Sequence, residues 1–203
     1  MNSNLKFFYL DSSCSDEIIE LRRKSFARQY KNLFKPDAMI WNTTDRSSLH
    51  LGIKDQGKLV SALRLSFFNV TSKFCDATLI SLPEGFSKPY SLPSRAATDC
   101  NYLNIGLHSR LRCHALEICL SFKFHSVFGS IETSAARFRK LLELGYEVVG
   151  AAKKWESKFL SSQEEVALLY LGGEDKIKNA VASLRETHGF EKMTQFPDKP
   201  VFV

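Results

Sequence analysis

Residues 99–152 alternate between strand-like and helix-like patterns, and this alternation constrains the fold more than any other feature of the sequence. The predicted order is strand, helix, strand, helix and strand, at 99–107, 110–124, 125–132, 134–145 and 146–152. The first helix carries an apolar stripe of Leu111, Ala115 and Ile118. The second ends at Gly145, a residue typical of helix C-termini. Strands interleaved with helices predict a mixed α/β sheet and exclude all-helical and all-β folds.

The segments on either side add strands and helices to the same sheet. Further strands are predicted at 5–10, 49–53, 58–68 and 164–171, and further helices at 13–30 and 174–189. The turn Lys-Asp-Gln-Gly at 54–57 joins two of these strands into a hairpin. Residues 70–98, which are rich in proline and serine, predict a long loop or a short strand and helix. The expected architecture is a sheet of about six to seven strands flanked by helices.

Length and composition are those of one well-filled domain. The chain has 203 residues, 44% of them hydrophobic, which predicts one core and one domain over 1–203. No apolar run approaches the roughly 20 residues that span a bilayer, and the N-terminus carries no secretion signal. The 5 cysteines form no Cys-x-x-Cys pair. We therefore expect reduced thiols in a cytoplasmic protein, with no bound metal and no membrane span.

The chain is basic, with a formal net charge of +6 and a pI of about 9.1. Its lysines and arginines are scattered rather than gathered into a tail. Most of them fit a solvated basic surface, and the functional alternative is an acidic partner: nucleic acid, a phosphorylated cofactor or an acidic carrier protein. Charge alone does not choose between these partners. Nucleic acid is disfavoured because no stacking aromatics are interleaved with the basic residues.

The junction of the predicted strand and helix, at residues 107–115, is a candidate anion site. The first amides of a helix have no internal acceptor, and the helix dipole adds positive charge there. Arg110 and Arg112 would strengthen the site, with Arg112 facing outward from the helix. The alternative is that both arginines are ordinary solvated residues.

The order of elements and three segments resemble the GNAT superfamily of acyl-CoA-dependent N-acyltransferases. Residues 103–120 stand where that family has its pyrophosphate-binding loop and helix. Residues 136–150 resemble the next helix with its Leu-Gly-Phe-like end, and 49–65 resemble the central hairpin. The resemblance implies the GNAT fold, with a sheet splayed near its middle, and an acyl thioester as donor.

Within that superfamily, the first helix and the hairpin are similar to the acyl-homoserine-lactone synthases and the related N-acyl amino acid synthases. The similarity rests on Arg22 and Phe26 on the helix, Asp45 ahead of the hairpin, and Arg64-Leu65 at its end. It implies substrate-binding roles for Arg22, Phe26 and Arg64 on the acceptor side. It also implies long acyl chains, often delivered by acyl carrier protein, an acidic donor that a basic surface would suit. An equally open alternative is an ion-pair cluster that holds the first helix on the sheet.

The resemblance also implies where the donor binds. The pantetheine–pyrophosphate end would lie on 107–115, and the thioester beside 104–107, where neighbouring strands part. The implied cofactor-binding residues are Ile105, Leu107, His108, Ser109, Arg110, Leu111, Arg112, Cys113, His114 and Ala115. Three positions depart from the family pattern. Cys113 stands where the family has a glycine, Leu141 stands where it has a general-acid Tyr, and Ser134 stands where it often has an Asn.

The catalytic candidates lie just before this loop. Amide formation needs a proton acceptor for the attacking amine, and Asp99 is the candidate base. Asn101 stands where the synthase branch carries an acid, and Tyr102 could assist. A strand amide within 105–107 would stabilise the thioester oxyanion. In the plainer alternative, Asp99 is an exposed acid at a strand edge.

These features predict an N-acyltransferase that moves an acyl group from acyl-CoA or acyl carrier protein to the amine of a small molecule or amino acid. Two alternatives remain open. One is an acetyl-CoA-dependent N-acetyltransferase. The other is a protein of the same fold that has lost catalysis and binds only an acyl thioester or a partner protein. Leu141 and Asn101 favour this last alternative.

Overall fold

A computed structural model describes residues 4–30, 40–152, 155–156, 161–162, 165–189 and 200–203 of the chain. The strands in this part are β1 (Leu5–Leu10), β2 (Leu49–Asp55), β3 (Lys58–Phe68), β4 (Tyr90–Thr98), β5 (Ser126–Glu132), β6 (Glu147–Ala152), β7 (Trp155–Glu156), β8 (Ser161–Ser162) and β9 (Val166–Gly172). They form a 7-stranded sheet of order β1-β2-β3-β4-β5-β9-β6, and a separate pair of β7 with β8. The mixed sheet and its predicted size are confirmed.

Helices cover both faces of the sheet. They are α1 (Ser15–Tyr30), α2 (Thr43–Arg46), α3 (Thr71–Thr78), α4 (Leu107–Ser121), α5 (Ala136–Glu143) and α6 (Glu174–His188). Helix α1 packs on β3 and β4, and α4 packs on β2, β3, β4 and α6. The largest apolar cluster lies under α4 and α6, and smaller clusters lie under α1 and α3. Among the described helices, none has the length and apolar character needed to cross a membrane.

The sheet parts between β4 and β5. These parallel strands share only two residue pairs, both at the start of each strand. Beyond those pairs β4 stays with β3, and β5 stays with β9. Residues 92–98 of β4 and 128–132 of β5 are termed the split edges below. A splay near the middle of the sheet was expected, and the pairing confirms it.

The strand predicted at 99–107 is wrong. The strand that precedes α4 is β4, which lies inside the segment 70–98, for which a long loop or a short strand and helix was predicted. Helix α3 and strand β4 agree with the second of these alternatives. Strand β4 is followed by one 3-10 turn at Cys100–Tyr102 and further turns before α4. Pro93 weakens the sequence signal for this strand, because proline lacks the N–H of a strand ladder. Here Pro93 lies on a split edge, where a missing donor is tolerated.

Helix α4 begins at Leu107, earlier than the predicted start at 110. Residues 107–115 are therefore helical turns rather than a loop, and the expected thioester position beside 104–107 lies beyond the end of the sheet. Arg112 was expected to face outward, but it is only 7% exposed. That expectation fails because the Arg112 side chain reaches inward to the hydroxyl of Tyr146.

Candidate functional site

The N-terminus of α4 presents unpaired backbone amides. Gly106 is its N-cap, with a φ of 79°, and no side chain caps the helix. The N–H of Arg110 donates to the Gly106 carbonyl. The amides of Leu107, His108 and Ser109 have no acceptor among the described residues. Free amides at the positive end of a long helix can hold an anion.

Basic side chains surround this helix start. Burial and the nearby Arg137 hold the pKa of His108 well below its usual value. Burial, together with Lys140 and Arg110, lowers the pKa of His188 at the end of α6. Neighbouring cations disfavour protonation, so both histidines are neutral at pH 7. The start of α4 is therefore a positively polarised site that suits phosphate oxygens.

Other residues expected to bind the donor lie inside α4. Five of them are buried, namely Leu111, Arg112, Cys113, His114 and Ala115. Their amides belong to the helix interior, where each N–H bonds the carbonyl four residues back. The Cys113 thiol contacts the Val181 carbonyl of α6 at 3.9 Å, and His114 packs against the ring of Phe7. These residues supply no free amide to a phosphate, which corrects the expectation that the whole of 107–115 does so.

Arg112 and Tyr146 form a buried polar contact between α4 and the start of β6. Arg112 Nη1 donates to Tyr146 Oη at 3.1 Å, and its guanidinium carbon lies 5.7 Å from the ring centroid. Burial raises the pKa of Tyr146. Leu141, at the family position of a general-acid Tyr, is buried in the same apolar cluster as Tyr146. Sequence reasoning missed this phenol because it follows Gly145, where the family has an apolar aromatic.

The proposed base, Asp99, is already occupied by structural partners. Its carboxylate accepts from Lys58 Nζ at 2.8 Å and from the Asn101 amide at 3.0 Å. These bonds hold the pKa of Asp99 below its usual value, so it is a weaker proton acceptor than an ordinary aspartate. The Tyr102 hydroxyl donates to Asp55 Oδ2 at 2.7 Å, and Asn101 is exposed. Nothing in this group resembles a base poised for an amine.

Ile105 lies in the turn before α4 and is 49% exposed. It is not part of a strand, so the strand amide expected within 105–107 for the oxyanion does not exist. The strand backbone that borders the opening is that of the split edges. An oxyanion donor would therefore have to come from residues 92–98 or 128–132.

The acceptor-side residues converge on one buried carboxylate. Arg22 Nη1 lies 2.9 Å from Asp45 Oδ1, and Arg64 Nη1 lies 3.4 Å from the same oxygen. A capping box with Asn42 at the start of α2 fixes the Asp45 carboxylate. Phe26 is partly buried in the apolar cluster under α1. The structure thus brings Arg22, Asp45 and Arg64 together, as the buried ion-pair alternative expected.

Sequence reasoning missed Arg95, the third arginine of this cluster. Its Nη1 lies 3.1 Å from Asp45 Oδ2. Arg95 has a φ of 48°, and it lies at a bulge where the pairing of β4 with β3 slips. A bulge re-aims a side chain out of the strand alternation. Because the position of Arg95 depends on this bulge, no sequence pattern predicts an arginine of the segment 70–98 beside Asp45.

His50 and Trp41 complete the cluster. His50 Nε2 lies 2.9 Å from the Asp45 carbonyl, and Nδ1 lies 3.5 Å from Arg22 Nη2. A neutral imidazole with its proton on Nε2 satisfies both contacts, donating to the carbonyl and accepting from the arginine. Burial lowers the pKa of His50 to about 4, which favours this neutral form. Trp41 stacks on the imidazole with ring centroids 4.5 Å apart.

Charge in the cluster is unbalanced. Burial alone would raise the pKa of Asp45, but Arg22, Arg64 and Arg95 outweigh it and hold that pKa at about 2. Burial, and then repulsion from Arg95, lower the pKa of Arg64 to about 9. Burial also lowers the pKa of Arg22 to about 10. Among the described residues, one carboxylate faces three guanidinium groups.

The split edges contain only two ionisable side chains, Arg95 and Glu132. Glu132, at the end of β5, is the one carboxylate on either edge. Glu132 is partly exposed, and its side-chain carboxylate has no hydrogen-bond partner among the described residues, although its backbone carbonyl accepts from the Ala135 amide at 3.0 Å. Strand alternation places Glu132 on the same face as Phe128, which packs with Phe74 and Tyr90 in the cluster under α3. A free carboxylate at the opening can accept a proton.

The described residues contain no group of three or more His, Cys, Asp or Glu side chains that could hold a metal ion. All of Cys14, Cys75, Cys100, Cys113 and Cys119 are free thiols. The candidate site is therefore a positive helix end, a parted sheet and a basic buried cluster.

No protein-family model and no curated protein matches this sequence. Solved structures do match. A CoA-dependent acyl-homoserine lactone synthase, BjaI, with SAM and isopentyl-CoA, superposes with a TM-score of 0.68 at 16% identity, over 98% of this chain and 96% of that one. An N-acetyltransferase from Staphylococcus aureus gives a TM-score of 0.59 at 12% identity, over 83% of this chain and 97% of that one.

A third match is Naa50 from Arabidopsis thaliana, in complex with a bisubstrate analogue of CoA. It gives a TM-score of 0.58 at 11% identity, over 83% of this chain and 99% of that one. At such low identity the likeness concerns the fold. The chain has the GNAT fold, as the resemblance in its sequence implied.

Proposed function

We propose that this chain is an N-acyltransferase that moves an acyl group from acyl-CoA to the amine of a small molecule, with residues 1–203 as one acyltransferase domain. One observation carries the proposal: a sheet split between parallel strands opens beside a helix start with three unpaired amides in a basic setting. The fold is that of proteins whose structures contain acyl-CoA or a CoA analogue.

In this proposal the donor's phosphates bind at the start of α4, on the amides of Leu107, His108 and Ser109. Arg110 and the other basic groups there add attraction. The pantetheine arm then runs into the split, where the edge of β4 has unpaired backbone groups to meet its amides. An acyl carrier protein delivers the same arm, and the basic chain would suit it as an alternative donor.

The chemistry is an exchange of one bond for another at the thioester carbonyl. The amine nitrogen bonds to the carbonyl carbon, the carbon–sulfur bond breaks, and CoA leaves as a thiolate that takes up a proton. The nitrogen must lose a proton on the way. We propose that Glu132 rather than Asp99 accepts that proton, because Glu132 borders the split and its carboxylate has no partner among the described residues, whereas Asp99 accepts from Lys58. Holding the amine and the thioester together in the split would supply much of the rate enhancement that proton transfer does not.

The donor site is tested by reversing one charge. Arg110→Glu should raise the KM for acyl-CoA about tenfold and leave kcat within about threefold, because it repels the phosphates without touching the reacting atoms. Free thiol release and mass spectrometry of the N-acyl product measure both parameters. Lys73→Glu, an equal change of sign on exposed α3, is the matched control. An Arg110 variant with an unchanged KM would contradict the assigned donor site.

A binding-only role is the second candidate. Two observations favour it: Leu141 fills the position of the family's general-acid Tyr, and Asp99 is tied up by Lys58. This alternative predicts that acyl-CoA raises the melting temperature while no amine releases thiol. The two candidates are distinguished by thiol release, because an enzyme would both bind the same acyl-CoA and release thiol from it.

A further inference from the structure

His188, the last residue of α6, lies against the start of α4. A Cβ on Gly106, the N-cap of α4, would lie 2.6 Å from His188 Nδ1, so the imidazole is in contact with the backbone of the N-cap. The three unpaired amides of the proposed donor site follow directly, at residues 107–109. The imidazole therefore borders the place where the donor's phosphates would bind.

The imidazole of His188 is half-buried, and neither of its ring nitrogens has a hydrogen-bond partner among the described residues. A neutral imidazole offers one donor and one acceptor, whereas a protonated imidazole offers two donors. A phosphate accepts hydrogen bonds and repels lone pairs, so it is best served by the protonated ring. His188 thus has hydrogen-bonding capacity that a ligand at the start of α4 can use.

The charged groups that act on His188 are cations. They are Lys140 of α5 and Arg110 of α4, and no carboxylate among the described residues offsets them at the imidazole. Burial and these two cations lower the pKa of His188, so the ring is neutral while the site is empty of anions. The neutral ring is a consequence of its surroundings, and it changes when the surrounding charge changes.

A bound donor reverses the charge around the imidazole. Its pyrophosphate is an anion, and an opposite charge within about 4–6 Å favours the protonated form of a histidine. The same phosphates also neutralise the neighbouring cations that disfavour protonation. A protonated His188 would then donate a charge-assisted hydrogen bond, which is roughly twice as strong as a neutral one.

We propose that His188 is a further donor-binding residue, which takes up a proton from solvent as the phosphates bind and then donates a hydrogen bond to them. No covalent bond of the donor changes in this step, and release of CoA returns the proton to solvent. The inference rests on the proposed function, because it needs the donor at the start of α4. It makes donor binding proton-linked, so the affinity falls as pH rises.

His108, in the first turn of α4, has similar surroundings. Burial, Arg137 of α5 and Arg112 of α4 lower its pKa, and no carboxylate among the described residues opposes them. A bound phosphate would therefore shift His108 in the same direction as His188. His188 accounts for part of the proton uptake rather than for all of it, and the test changes one histidine at a time.

Calorimetry of dephospho-CoA binding at pH 7 counts the protons. The 3′-phosphate of CoA itself titrates at about pH 6 and would lose a proton in a basic site, so the ligand without that group is used. PIPES, HEPES and imidazole buffers differ in their heat of ionisation, and the slope of the observed enthalpy against that heat is the number of protons taken up. We expect an uptake of about half a proton or more, and an affinity that weakens about tenfold from pH 6 to pH 8.

Two variants of His188 separate ligand binding from mere packing on Gly106. His188→Gln should lose about half or more of the proton uptake and bind dephospho-CoA at least about threefold more weakly at pH 6. His188→Lys carries a permanent charge, so it should also lose this uptake, yet bind at pH 8 at least as tightly as the parent protein. His125→Gln, beside the opposite end of α6, is the matched control and should change neither quantity.

The outcomes distinguish failure of this inference from failure of the proposed function. Binding without proton uptake would overturn the inference and leave the donor site standing. An uptake that is unchanged in His188→Gln, or a loss of binding in both variants with the proton count unchanged, would refute the assignment to His188. If neither dephospho-CoA nor CoA binds, the donor site of the proposed function falls, and the inference falls with it. Circular dichroism confirms that each variant is folded.

Discussion

At the scale of single residues, Asp45 matters most, because two buried arginines and one half-buried arginine pair with it. Its carboxylate lies within 3.4 Å of Arg22, Arg64 and Arg95, and its own side chain is not exposed. Asp45→Asn keeps the size of the side chain and part of the capping box, but it leaves these three cations without the counter-ion that they share. We expect a loss of about 3–5 kcal/mol in the free energy of unfolding. Urea denaturation measures it.

The stability of an Arg95→Asn variant is the comparison for the Asp45→Asn variant. Removing Arg95 lowers the charge excess, and Asp45 keeps its bonds to Arg22 and to the Asn42 amide. The Arg95 variant should therefore unfold at nearly the same urea concentration as the parent protein. If both variants lost the same stability, the excess of positive charge in the cluster would not be real.

His50 predicts how stability depends on pH. Its pKa is about 4 in the folded protein, against 6.5 in an unfolded chain, so the unfolded state binds more protons between these values. The stabilisation is complete above pH 6.5 and is lost as pH falls toward 4, by up to about 3 kcal/mol. His50→Gln, which can keep the bond to the Asp45 carbonyl, should flatten this dependence. His108 titrates in the same direction, so some slope remains. Urea melts at pH 7 and pH 4.5 give the slope, and identical slopes in both proteins would contradict the prediction.

At the scale of elements, strand β5 contains a glycine beside open space, which tests where the proposed acyl group would lie. Gly129 is buried on a split edge, yet no described atom beyond its neighbours lies within 4 Å of the place where a Cβ would be. Gly129→Val would fill that space and should not destabilise the strand, since valine favours strands. We expect it to lower kcat/KM for long-chain acyl-CoA at least about tenfold relative to acetyl-CoA. Ser130→Val, at the next and exposed position, is the control. An unchanged chain-length profile would place the acyl group elsewhere.

Element order was predictable where hydrophobic periodicity was strong, and it failed where local chemistry misled. Helices α1, α4 and α6 and the β2–β3 hairpin follow from spacing and turn residues. Strand β4 does not, because Pro93 reads as a loop signal unless one already knows that the sheet is open beside it. This error also shifted the predicted site: free amides are expected over 107–115 from the sequence, although in the structure they end at Ser109. The sequence analysis also missed Arg95. Its position depends on a bulge in β4 and on a contact with Asp45, which lies 50 residues away in the chain.

At the scale of the whole molecule, the fold itself was accessible from the sequence because it depends on the order of many weak signals. The charge of the arginine cluster could not be predicted from the sequence, because it requires three residues from different elements to meet one carboxylate. Arg22, Arg64 and Asp45 could be grouped from family resemblance, which also left open whether they serve stability or substrate. The geometry shows the structural part of this: Arg22 on α1 and Arg64 on β3 both pair with Asp45 and so tie α1 to the sheet.

The parted sheet also has a consequence for solution behaviour. A strand whose N–H and C=O groups are unmatched invites pairing with strands of other molecules, and so invites aggregation. Two features of β4 act against this: Pro93 withholds a donor, and the kink at Arg95 twists the strand away from a flat template. The open edge of β4 is thus a poor template for pairing with a strand of a second copy of this chain.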